Sequence, residues 1–283
     1  MNTDVIGSNY TLMLGDCLER MKDIEDNSID LILCDLPYGT THNKWDTIIP
    51  FDKLWEQYNR IAKDTTPIVL FSQMPFTASL VCSNLSNFRY EWIFEKTSAT
   101  GFLNANRMPL KCHENIEVFY RKLPIYNPQK TEGHTPTHAY TQHSGNSPNY
   151  GKYKDWSGGG NTDRFPRDVI KFKKDTQKSK LHPTQKPVEM LEYIINTYTD
   201  KGMTVLDNCM GSGSTGVACL HTGRKFIGIE MNEEYFDICV SRLKEEENRN
   251  KFTFGVMNRG EKWMSLLYFN LIQVWSMYDS KWF

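Results

Sequence analysis

Two short stretches of this chain combine residue types that could do chemistry. Asp35-Leu36-Pro37-Tyr38 joins an acid, a proline-constrained turn and an aromatic ring. Asp35 can accept one N–H, a main-chain carbonyl can accept another, and Tyr38 can stack on a planar ring. That set suits an exocyclic amino group on a nucleobase, although Asp and Pro are also common in plain strand-to-loop turns. The second stretch runs from Asp207 to Gly216, DNCMGSGSTG. Gly211, Gly213 and Gly216 satisfy GxGxxG, which lets a ligand approach backbone at a helix N-terminus. Glu230 ends the next expected strand, at a spacing suited to ribose hydroxyls. A nicotinamide dinucleotide fits such a loop, and so does a turn that only packs helix on strand. Asp207 tilts the choice, because a carboxylate before the glycines opposes a pyrophosphate and suits a ligand carrying an ammonium group.

The elements that must hold these stretches alternate between strands and helices. Strands are expected at Tyr10–Leu14, Ile29–Cys34, Pro67–Phe71, Trp92–Phe94, Ile116–Tyr120, Thr204–Leu206 and Phe226–Ile229. Ile29–Cys34 is a continuous apolar run, as expected of a strand covered on both faces. Helices are expected at Phe51–Lys63, Pro187–Tyr198, Ser214–Thr222 and Glu233–Glu247, with a helical turn at Asp16–Lys22. This alternation implies an α/β fold with a doubly wound, mostly parallel sheet, in which ligands sit at the carboxyl ends of strands.

The 283 residues carry a formal net charge of −1, which by itself argues against a polyanionic partner. The charge is uneven. Arg121–Lys180 holds twelve basic residues against five acids, a surplus of +7 that leaves −8 for the remainder. The same segment contains Gly158-Gly159-Gly160, five Pro and interleaved aromatics such as Tyr140, Tyr153 and Trp156, and it shows little periodicity. It is read as a loop-rich insert whose Lys and Arg could neutralise phosphates while aromatics stack on bases; a solvated surface excursion has the same composition. His134, His138 and His143 do not form a metal set, since Pro136 interrupts any helical face and no Cys lies close. Seven scattered Cys without a CxxC pair argue against a disulfide framework or zinc ribbon and favour a reducing cytoplasm. MNTDVIGSNY has neither a basic nor an apolar leader region, so no membrane or secretory role is expected.

Taken together, the two stretches resemble the amino-directed, S-adenosylmethionine-dependent DNA methyltransferases. Their catalytic DPPY is matched by Asp35-Leu36-Pro37-Tyr38, and their cofactor loop DPFxGSGTT by Asp207–Thr215. Gly15-Asp16-Cys17-Leu18 resembles the family's GDxL, and His182–Pro187 matches its HPTQKP without a change. The order, catalytic motif, insert, then cofactor loop, is similar to the β group. The resemblance covers roughly Tyr10–Arg121 and His182–Leu243. It implies a seven-stranded Rossmann-like sheet, with catalytic-core residues 1–121, a target-recognition insert at 122–181, a cofactor-binding part at 182–248 and an aromatic-rich extension at 249–283.

The implied cofactor is S-adenosylmethionine, held by Asp16, Thr184, Lys186, Asp207, Gly211, Ser212, Gly213, Ser214, Thr215 and Glu230. The implied reaction methylates a flipped-out base in double-stranded DNA. Asp35 and the Leu36 carbonyl would accept its amino hydrogens beside Pro37, and Tyr38 would stack on it. Lys152, Lys154, Arg164, Arg167, Lys171, Lys173 and Lys174 would face DNA. Adenine N6 leads over cytosine N4, because N4 members more often carry Ser at the position of Asp35. Carbon-5 chemistry is not indicated, since the chain has no Pro-Cys dipeptide. The family also brings a homodimer and a cognate restriction enzyme into view as partners. Two departures stand out. Leu36 replaces a proline, and Asn208-Cys209 replaces Pro-Phe, which keeps a non-catalytic DNA-binding relative in view as an alternative. Phe252–Phe283 lies beyond the resemblance, with nine aromatics and an apolar run, Met264–Tyr278, too short to span a membrane. It suits packing onto the body or a subunit interface.

Overall fold

The structure, a computed structural model, describes residues 4–40, 46–149, 151–173 and 185–249. The chain begins with strands β1 (Val5–Ile6) and β2 (Tyr10–Leu14), the short helix α1 (Cys17–Arg20) and strand β3 (Leu31–Asp35). Helix α2 (Phe51–Ile61), strand β4 (Ile68–Ser72) and helix α3 (Phe76–Ser83) follow, then the long pair β5 (Phe88–Thr100) and β6 (Lys111–Phe119). Four three-residue strands come next: β7 (Tyr140–Gln142), β8 (Gly145–Ser147), β9 (Gly151–Tyr153) and β10 (Trp156–Gly158). The remainder is β11 (Val169–Phe172), α4 (Val188–Tyr198), β12 (Thr204–Asp207), α5 (Ser214–Thr222), β13 (Lys225–Glu230) and a helix α6 over residues 233–249.

Among the described residues, nine strands share one sheet in the order β1-β2-β13-β12-β3-β4-β6-β5-β11. The seven expected strands form its continuous interior, and β1 and β11 add an edge on each side. β2, β13, β12, β3 and β4 run parallel, and β6 is inserted antiparallel between β4 and β5. The central strands are apolar because both faces are covered: Leu31, Ile32, Leu33 and Cys34 are all buried, as is every residue of β4.

Helices α4, α5 and α6 cover one face. Met190, Ile194, Val217, Phe236 and Leu243 there meet Leu31, Leu33 and Val69. Helices α2 and α3 cover the other, where Leu54, Tyr58, Phe76 and Leu80 meet Ile32, Cys34 and Leu70. In α2 the buried Leu54, Trp55, Tyr58 and Ile61 recur at helical spacing, which fixes the face it turns inward.

The segment expected as a loop-rich insert over 122–181 is more structured than its composition suggests. Strand pairs β7–β10 and β8–β9 nest as short antiparallel ladders, with Tyr140 edge-on to Trp156. β11, expected inside the insert, joins the main sheet parallel to β5, with Ile170 buried in the core. Three-residue strands are too short to show a period-2 pattern, which is why sequence alone reads them as loop. Length is not the reason for α3, whose apolar residues do not gather on one helical face, or for β5, whose polar solvent-facing residues break its apolar run.

Candidate active site

The chain leaves β12 through α5 to β13 on one side and leaves β3 through α2 to β4 on the other. β12 and β3 are hydrogen-bonded neighbours, with Leu206 opposite Ile32. The sheet therefore reverses its winding between them, and a crevice must open beyond their carboxyl ends. Both chemically suggestive stretches begin there, Asp35 ending β3 and Asp207 ending β12. Residues more than 170 positions apart become walls of one cleft of about 490 Å³, a size suited to a cofactor.

The glycine loop builds one wall. Gly211 (φ +51°) and Gly213 (φ +81°) occupy the left-handed region that side chains avoid. A Cβ on Gly211 would meet nothing within 4 Å, so that position leaves room at the cleft. Gly213 differs: a Cβ there would lie 2.4 Å from Cys239 Sγ, so this glycine lets α6 pack close and does not itself line the cleft. Arg242 of α6 donates to the Ser212 carbonyl at 2.6 Å and holds the loop from behind. Ser212, Ser214 and Thr215 reach the cleft.

Asp207 accepts from Thr215 Oγ1 at 2.7 Å and from the Cys209 N–H at 3.1 Å, and burial pushes its pKa up to about 6. Glu230 accepts the N–H of Gly211 at 2.9 Å and that of Asn232 at 2.8 Å. Its carboxyl is also held above its ordinary value by burial. Two of its lone pairs thus pin the loop while the group still faces the cleft. Asp16 caps α1, accepting from the N–H groups of Leu18 and Glu19, and lines the cleft beside Glu230, whose carbonyl accepts the neighbouring Gly15 N–H at 2.9 Å.

The other wall carries Asp35, Leu36, Pro37 and Tyr38. Both Asp35 oxygens are engaged: Tyr38 Oη donates to Oδ1 at 2.7 Å and Lys186 Nζ to Oδ2 at 2.5 Å. Burial first, then the Asp35 charge, raises the Tyr38 hydroxyl well above its ordinary value, so it stays a proton donor. The Tyr38 ring rests on Phe76 with centroids 5.1 Å apart and planes tilted by 31°. Beyond Tyr38 the chain is folded over by Asp46, which accepts from the N–H groups of Gly39 and Thr40 at 2.8 and 2.9 Å.

Lys186 departs from its expected role. It lines the cleft, but its ammonium sits between Asp35 and Glu114, 3.0 Å from the latter, and so belongs to the catalytic-motif side. Glu114 also pairs with Lys96 at 2.5 Å. Burial alone would raise Glu114; the two lysines outweigh it and leave its pKa below the ordinary value. Burial opposes the charge on Lys186 too, and Asp35 with Glu114 more than offsets it, raising the lysine.

Sequence reasoning gives no site role to Glu114, Lys96 or Asp46. Trp92–Lys96 and His113–Ile116 resemble core strands of the family, and only the β5–β6 register brings Lys96 and Glu114 to one place. The substituted Asn208-Cys209 also finds a structural account. Tyr58 Oη donates to Asn208 Oδ1 at 2.5 Å, and Cys209 packs against the thiols of Cys17 and Cys34. Burial pushes Cys34 up to about 12, and Cys17 and Cys209 are also raised, so these thiols are inert packing groups.

The expected DNA-facing residues divide. Lys152, Lys154, Arg167 and Lys173 are exposed. Arg164 instead donates to the carbonyls of Thr135, Asn161 and Asp163, and Lys171 pairs with Glu95 at 2.6 Å. Thr184, Lys174 and the tail 250–283 lie outside the described residues, as do His182 and Pro183. Among the described residues no group of His, Cys, Asp and Glu could hold a metal ion, and no helix is long and apolar enough to cross a membrane.

Comparison with known proteins places this geometry among related chains. Residues 29–241 match the profile of the N6/N4 methyltransferase family, described as DNA methylase. The type II methyltransferase M.HinfI of Haemophilus influenzae is 28% identical over 271 residues, 83% of this chain and 68% of that protein. The DNA adenine methyltransferase YhdJ of Escherichia coli K12 is 29% identical over 255 residues, 82% of each. Among solved structures, the PvuII cytosine-N4-specific DNA methyltransferase superposes with a TM-score of 0.60 at 15% identity, covering 86% of this chain and 92% of that one. At that identity the likeness concerns the fold alone.

Proposed function

The chain belongs to the DNA methylase family, and from that premise we propose that it transfers a methyl group from S-adenosylmethionine to the N6 amino group of adenine in duplex DNA. The observation that carries the reading is the convergence of Asp35–Tyr38 and the Asp207–Thr215 glycine loop on one cleft at the switch point of the sheet. Adenine over cytosine is supported by a carboxylate at position 35 and by the adenine specificity in the name of a relative 29% identical to this chain.

The residues present fit the cofactor. Gly211 leaves space beside the backbone, Glu230 and Asp16 line the cleft side by side at the ends of β13 and β2, and Asp207 anchors the loop from below. When bound, S-adenosylmethionine supplies a methyl group already activated by its sulfonium. The remaining work is positioning.

Asp35 accepts an amino N–H of the flipped base and holds the proton that the nitrogen loses; the Leu36 carbonyl accepts the second N–H. For this, Tyr38 Oη must leave Asp35 Oδ1, and the Tyr38 ring, backed by Phe76, offers its opposite face to the base. Lys186 keeps the Asp35 carboxylate oriented throughout. Residues 122–173, with exposed Lys152, Lys154, Arg167 and Lys173, read the target sequence and contact phosphates. The reading extends to a reducing cytoplasm, suggested by the scattered cysteines, to a cognate restriction enzyme, suggested by the type II relatives, and to a homodimer, suggested by the aromatic composition of 249–283.

Asp35→Ala is expected to abolish incorporation of labelled methyl into genomic DNA while leaving cofactor binding within about threefold of wild type. Retained transfer would sink the assignment.

A further inference from the structure

The long hairpin formed by β5 and β6 ends in a tip that the fold does not use. Asp35, Phe71, Ile116 and Trp92 lie at one level across the sheet, by the register of β3, β4, β6 and β5. From that level β5 continues eight residues to Thr100, a contour of roughly 25 Å at about 3.3 Å per residue. It rises on the carboxyl side of the sheet, the side on which the cleft opens. Its base carries Glu114 and Lys96, the residues that tie Lys186 and so Asp35 to this ribbon.

At the tip, Gly101 (φ +88°) turns the chain and leaves Phe102 81% and Leu103 99% exposed, with Met108 at 52% and Leu110 at 40%. Four large apolar side chains on one projecting turn have no stabilising role in the described fold, and such exposure marks a contact surface. The residues from Thr97 to His113 include Arg107 and Lys111 and no acid, although the chain outside Arg121–Lys180 is net acidic. An apolar crown with basic flanks, set above a cleft that receives an extruded base, matches the chemistry of a bent or opened duplex, with bases for the apolar side chains and phosphates for the two cations.

The geometry points to duplex DNA as the occupant of this tip: Phe102 and Leu103 enter the base stack beside the target and fill the space the flipped base leaves, while Arg107 and Lys111 take the flanking phosphates. This rests on the base-flipping methyltransferase reading above and adds a DNA contact outside the basic insert.

The test uses the full chain. The recognition sequence is first mapped by modification-sensitive sequencing of DNA methylated by the wild type; a wild type inert toward all DNA would mean that the activity, not the wedge, is misassigned. Phe102→Ser/Leu103→Ser removes the crown at positions exposed enough to leave folding intact, checked by unchanged cofactor binding. On a normally paired duplex kcat/KM should fall about tenfold or more, together with the fluorescence rise of 2-aminopurine placed at the target. With an abasic site opposite the target, where no paired partner need be displaced, the defect should shrink to within about threefold. Leu103→Phe, which keeps an apolar wedge, should behave as wild type. Equal loss on both duplexes, or no loss on either, overturns the proposal. So does conversion of a dimeric wild type to monomers by the double variant, which would make the tip a subunit interface.

Discussion

Replacing Lys186 by Met tests whether the charge lattice behind Asp35 holds the site together. The side chain keeps its length and loses its charge. In the native protein the ammonium lies 2.5 Å from Asp35 and 3.0 Å from Glu114 and is almost enclosed. Removing one partner of a buried ion pair costs about 3–5 kcal/mol, because the carboxylate left behind stays desolvated. Lys96 remains 2.5 Å from Glu114, which places the expectation at the low end, about 3 kcal/mol. That corresponds to a loss of roughly 1 M in the urea midpoint.

The pH dependence carries the sharper signature. Glu114 now has a folded pKa below its ordinary value, so it contributes stability that is present above that ordinary value and fades as pH falls through the folded one. Without Lys186, burial gains on the single remaining lysine and the folded pKa of Glu114 moves upward. The gap between wild type and variant should therefore be wide at pH 8 and narrow only as pH falls below the ordinary carboxylate value, read by urea unfolding monitored through tryptophan fluorescence. Methyl transfer should fall with it, through kcat more than through cofactor affinity. A gap that is constant with pH, or a variant as stable as wild type at pH 8, would refute the reasoning.

Two further outcomes follow from groups near the site. Glu117 is buried on β6, accepts from Ser72 at 3.1 Å and faces Glu91 across β5, and burial pushes its pKa up to about 7. Its neutral form suits the fold, so that contribution is whole below the ordinary carboxylate pKa and is lost as pH rises through about 7. Glu117→Gln should leave stability at pH 5 nearly unchanged and raise it by about 2 kcal/mol at pH 8 in denaturant titrations; a destabilised variant at pH 8 would contradict this. Gly213→Ala places a Cβ 2.4 Å from Cys239 Sγ at a left-handed backbone position, and should cost about 3 kcal/mol by thermal or urea unfolding. A cost under about 1 kcal/mol would mean that α6 is not seated against the loop as described.

Much of this protein is written locally. The apolar runs of β3 and β4, the helical spacing in α2 and α4, and the glycines after β12 each follow from short-range patterning that a strand or helix imposes on sequence. The DLPY and DNCMGSGST stretches likewise announce their chemistry, because a chemical group and the turn that presents it are encoded within a few residues.

What the chain could not disclose by itself is every relation that depends on which strands are neighbours. Lys186 looks like part of a cofactor motif until the sheet order brings it to Asp35. Lys96 and Glu114 look like ordinary charges of a polar ribbon until β5 and β6 pair. Gly213 reads as a cofactor glycine, yet α6, arriving twenty residues later, makes it a packing position. β11 reads as part of a basic loop, although pairing with β5 makes it sheet. The physical reason is common to all four. A desolvated charge, a close backbone approach and a sheet edge acquire their energies from partners remote in sequence, and those partners are chosen only when the two layers of helices close on the sheet.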